Sequence, residues 1–143
     1  MFRSLSLFIT AMIFMTSSVS FADDLENDVN VLCTKFGATS VAYAQHLFAA
    51  KDKSEFKQLR AKMEKELLAD GYHKVTIEKL FSPKLDSIEK DIGKAFDMGS
   101  YEQRMQFLNS PAFQMQGSET MIRDRQECLD FHQPLLEQNK GKK

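Results

Sequence analysis

Residues 24–50 read Asp-Leu-Glu-Asn-Asp-Val-Asn-Val-Leu-Cys-Thr-Lys-Phe-Gly-Ala-Thr-Ser-Val-Ala-Tyr-Ala-Gln-His-Leu-Phe-Ala-Ala, and one stripe runs through them. Leu25, Val29, Leu32, Cys33, Phe36, Ser40, Tyr43 and Leu47 recur at three- and four-residue steps. Residues so spaced share one face of an α-helix, so the stripe predicts a helix with a single buried side. Asp23 and Asp24 suit the positive end of its dipole. Unbroken, the helix would be about 40 Å long. Gly37 beside β-branched Thr39 is the expected place for a kink. A straight helix would instead overhang the domain and call for a second subunit, a homodimer.

Outward from this stretch the period stays helical. Asp52-x-x-Glu55 reads as the start of a second helix with Phe56, Leu59, Met63 and Leu67 inward, and Gly71 stands at its C-terminal cap. Residues 72–81 fit either a short helix or an extended run. Ser82-Pro83 reads as N-cap and first helical residue of a helix burying Leu85, Ile88, Ile92 and Phe96 and ending near Gly99. Ser100-x-x-Gln103 opens another, with Tyr101, Met105 and Leu108 inward, and Asn109-Ser110-Pro111 closes it. After a short turn over 112–116, Ser118 is expected to cap a last helix with the stripe Met121, Ile122, Arg125, Cys128, Leu129 and His132, limited by Pro134. The expected fold is all-α, a small bundle of about five helices.

The first 22 residues set the compartment. Arg3 gives a positive start, Leu5–Met15 is apolar apart from Ser6 and Thr10, and Ser20-Phe21-Ala22 is followed by acidic Asp23-Asp24. That is the layout of a cleavable secretory leader. The expected organisation is a signal peptide over 1–22, a helical domain over 23–133 and a flexible basic tail over 134–143. The leader's apolar run falls short of the about 20 residues that span a bilayer, so stable membrane insertion is not expected. Export places Cys33 and Cys128, the only cysteines, where thiols oxidise. Pairing them joins the first helix to the last and closes a loop of about 95 residues, which in the chain-entropy model stabilises by about 4–5 kcal/mol. The absence of an Asn-x-Ser/Thr sequon favours a bacterial envelope over a eukaryotic secretory route; the expected location is periplasmic, with full secretion as the variant.

Charge and motifs narrow the function. Without Arg3 the chain has 18 basic against 20 acidic residues, which argues against nucleic acid as a partner. His46, His73 and His132 are far apart and no Cys-x-x-Cys occurs, so neither zinc nor haem has supporting spacing, and no cofactor is expected. Cys128 and His132 lie four apart, a spacing that lets imidazole activate a thiolate, but a disulfide would consume the sulfur. Carboxylate pairs such as Glu64/Glu66 sit among lysines, as solvated helix faces do. Met98, Met105, Met115 and Met121 lie near Phe96, Phe107 and Phe113; Met98, Phe107 and Met115 are the candidate partner-binding residues. In outline the chain resembles small exported bacterial helical proteins with one disulfide, such as immunity proteins and acid-stress chaperones, in architecture and compartment alone. The expected function is non-enzymatic binding of another protein, an envelope effector or a client. The role is that of an inhibitor or immunity protein, with an acid-activated holdase or a small envelope hydrolase as alternatives.

Overall fold

A computed structural model describes the backbone of residues 3–140 and the side chains of residues 25–138. The expected leader over 1–22 lies outside the described side chains. Helix α1 runs Arg3–Ala49, and a single 3-10 turn, Lys53–Glu55, leads into α2, Phe56–Ala69. One helical turn, α3 (Lys74–Thr76), widens into a π-turn at Ile77–Phe81 and continues as α4, Ser82–Met98. Helices α5 (Tyr101–Leu108) and α6 (Pro111–Lys140) complete the chain. Counting α3 to α4 as one rod, the described residues form five helical rods and no strand.

α1 is the spine, packing on α6, α4, α5 and α2. Its expected stripe is its buried face. Val29, Cys33, Phe36, Ser40, Tyr43 and Leu47 are buried, and Leu25 and Leu32 are partly so. Two apolar clusters follow one another along it. The first joins Val29, Cys33 and Phe36 to Leu67, Ile77, Phe81 and Cys128. The second joins Tyr43 and Leu47 to Met63, Leu85 and Ile92. Cys33 and Cys128 form a disulfide between α1 and α6, with Cα atoms 5.3 Å apart.

The helix runs unbroken through Gly37. A Cβ built there would stand 2.5 Å from the Met121 carbonyl oxygen and 3.2 Å from Met121 Cγ. Gly37 therefore serves the close approach of α6. Gly71 does what its position implies. At φ +92° it lets Gly71 N–H reach the Leu68 carbonyl and Tyr72 N–H reach that of Leu67, closing α2 with a Schellman motif.

Four expectations are corrected by tertiary contacts. Ser82 is not an N-cap, because the chain is already helical at Phe81 and its amide bonds the Ile77 carbonyl five residues back. Pro83 has no N–H to return to the preceding turn, and the wider π-turn absorbs that gap. The last helix starts at Pro111, where Ser110 Oγ accepts from Phe113 N–H at 3.2 Å. Ser118 sits mid-helix, its hydroxyl donating to the Gln114 carbonyl at 3.1 Å. Pro134 does not stop α6, which continues to Lys140 while Leu136 packs on the first cluster, so the tail expected over 134–143 is helical through residue 140. The inward faces of α5 and α6 are also rotated. Tyr101, Met121 and Ile122 are exposed, whereas Arg104, Phe113 and Asp124 are buried; Cys128 is buried as its stripe implies.

Candidate functional site

Away from the disulfide, α1, α4, α5 and α6 line an open trough. α1 supplies Val41, Ala44 and Phe48 as its floor, α4 supplies Ile88, Asp91 and Ile92, and α5 and α6 supply Phe107, Phe113 and Gly117. The cavity measures ≈ 310 Å³, within the range of natural ligand and peptide sites. Small residues make the space, since Ala44 and Gly117 leave room between larger neighbours. Phe48, Phe107 and Phe113 form a ring trio with centroids 5.5, 5.6 and 5.7 Å apart, two of the three pairs nearly perpendicular. Such edge-to-face contacts fix the rings and turn their flat sides into rigid walls.

A shallower cleft continues past Phe48 and Phe107 to Ala95, Met98, Gly99, Gln103 and Arg104. Met98 is 85 % exposed, the last residue of α4 before extended Gly99. Arg104 is buried in the cleft floor. Its guanidinium stacks on Phe96 at 3.6 Å and donates to the carbonyls of Gly99, Ala50 and Lys51. It thereby caps the C-terminal end of α1, where the helix dipole favours a cation.

Two polar groups border this apolar surface. Lys84 Nζ bridges from α4 to α6 by pairing with Asp124 at 2.6 Å and Glu127 at 3.4 Å. Asp124 is wholly buried, and its other carboxylate oxygen has no hydrogen-bond partner. Lys84 and Asp124 stand one turn from the trough-lining Ile88 and Thr120, so the pair ties the trough walls together at that end. On the far side of α4, Arg60 pairs with Glu64, Asp86 and Glu89. Glu89 also accepts the Tyr43 hydroxyl at 2.5 Å. Burial first, and the Glu89 carboxylate after it, push the Tyr43 phenol well above its ordinary range.

Of the candidate partner-binding residues, Met98 and Phe107 line the same cleft. Phe107, expected off its stripe, is half-buried within the ring trio, and Met115 is 62 % exposed on α6 and lines neither cavity. Phe48, Ile88 and Phe113 are site residues that the sequence reading does not single out, although Phe113 two residues after Pro111 and off-stripe Phe48 are the available signals. Cys128 Sγ stands 3.8 Å from His132 Nδ1, but the sulfur is bonded to Cys33. Among the described residues no helix is long and apolar enough to cross a membrane. No family model, curated protein or solved structure matches the chain.

Proposed function

We propose that the chain is an exported, non-enzymatic periplasmic protein that binds another protein, as an inhibitor or immunity factor against an envelope-targeting effector. The trough would receive an apolar segment of that partner. The observation that carries the reading is the juxtaposition of Met98, 85 % exposed, with an open apolar trough on a disulfide-stapled scaffold. Methionine re-packs around varied surfaces, and the staple lowers the entropy lost on binding. The test is photocrosslinking from position 116, on the trough wall, of the mature protein in its native envelope. One stoichiometric partner is expected, recovered at least tenfold less with Met98→Lys or Phe107→Asp. Failure to trap any partner overturns the reading; equal recovery with the variants overturns the trough as the site.

The Lys84–Asp124 pair favours a second reading, an acid-activated holdase. In strong acid the carboxylates of the chain are neutralised as a class and its basic residues repel one another, which would work against the Lys84 tie between α4 and α6, with Arg123 and Glu127 the other charged groups beside it. Suppression of client aggregation at about pH 3, below the ordinary carboxylate range, and not at about pH 7 would support it. Equal behaviour at both would remove it.

A further inference from the structure

Among the described residues, Cys33, Cys128 and His132 form the one cluster of three metal-ligating side chains, one ligand atom from each lying within 4.8 Å of the others. They come from two helices. α1 supplies Cys33 and α6 supplies Cys128 with His132 one turn on, which is why sequence spacing gave no hint of a site. We propose that in the dithiol state these residues bind a thiophilic divalent ion, zinc first. The oxidation state of the sulfurs then decides whether α1 and α6 are joined by a covalent bond or by a metal. This inference is independent of the proposed function.

Three features support it. Tetrahedral zinc with Zn–S near 2.3 Å and Zn–N near 2.0–2.1 Å sets its ligand atoms about 3.5–4 Å apart; reduction frees the two bonded sulfurs to separate to that spacing, and Cys128 Sγ and His132 Nδ1 already stand 3.8 Å apart. Nδ1 of His132 lies 2.8 Å from the Cys128 carbonyl oxygen, close enough to donate to it. Nδ1 also lies 3.8 Å from Cys128 Sγ, so it is the ring nitrogen facing the sulfurs and would exchange its carbonyl contact for the ion. The sulfurs are buried and the imidazole half-buried, which leaves the histidine side open for ion entry and for a water as fourth ligand.

The chemistry balances with a phosphine as reductant. Phosphine and water convert the disulfide to two thiols and phosphine oxide, with two electrons passing to sulfur. Zinc then replaces the two thiol protons, which are released. Reoxidation by dioxygen takes two electrons from the thiolates, which with two protons yield hydrogen peroxide, remakes the S–S bond and releases the ion.

The experiment uses the mature chain reduced with a water-soluble phosphine and titrated with zinc, followed by bound-metal analysis, circular dichroism and thermal melting. The expected result is one zinc per reduced chain, none in the oxidised chain, a higher Tm with zinc, and at least tenfold weaker binding in His132→Ala. If the reduced chain loses helicity, zinc restores it in the wild type and not in His132→Ala. Binding no tighter than in His132→Ala, or zinc without effect on either Tm or helicity, overturns the proposal.

Discussion

The two ends of the bundle are held by different physics. At the disulfide end, Val29, Cys33, Phe36, Leu67, Ile77, Phe81 and Cys128 are sealed from water and cross-linked. At the trough end, Tyr43 and Leu47 anchor a smaller cluster. Polar ties finish the structure there: Arg104 on the end of α1, Arg60 on three carboxylates, and Lys84 on Asp124. The sealed end carries stability, and the trough end keeps apolar surface exposed without collapsing over it. Rigidity at one end is what lets the other stay open.

The largest test of this division is Cys33→Ser with Cys128→Ser. Releasing a 95-residue loop is expected to cost about 4–5 kcal/mol by the chain-entropy relation, measured by urea unfolding with the midpoint falling. A loss below about 1 kcal/mol would mean that packing alone holds the sealed end. Next is Gly37→Ala. Its new methyl meets the Met121 carbonyl, so α1 and α6 must separate beside the disulfide, at about 1–3 kcal/mol. An unchanged Tm would show that the helices have slack there.

At the trough end the effects are smaller. Tyr43→Phe removes the donor to Glu89 while Arg60 still pairs with that carboxylate, so about 1 kcal/mol is expected near neutrality. Its pH signature is sharper. The buried phenol keeps its proton where an unfolded one, ionising near 10, loses it. Stability from this group is therefore complete below about pH 10 and lost as pH rises further, and Tyr43→Phe should flatten that alkaline decline in Tm. The smallest effect belongs to Met98→Lys. At 85 % exposure it should leave stability within about 0.5 kcal/mol while reducing partner capture.

How much could be read from the sequence follows the same division. The stripe of α1 and the pairing of its cysteine with that of α6 were legible, because each position is apolar or small and the period is unbroken. Gly71 and the Ser100/Gln103 capping box were legible for a local reason, since each acts within a few residues. The registers of α5 and α6 were not. Polar residues read as outward, yet Arg104 is buried by carbonyls of residues 50 and 51, and Asp124 by a lysine 40 positions earlier. Phe107 looked surplus on its own helix because Phe48 and Phe113, its partners, lie on two others. The trough emerges only when four helices are assembled.

The main interface joins the first helix to the last, and α6 itself is 30 residues long. A fragment that stops before α6 cannot complete this fold, because the spine's buried face is covered in part by α6 and bonded to it. Native contacts so distant along the chain form slowly, after a large loop has closed.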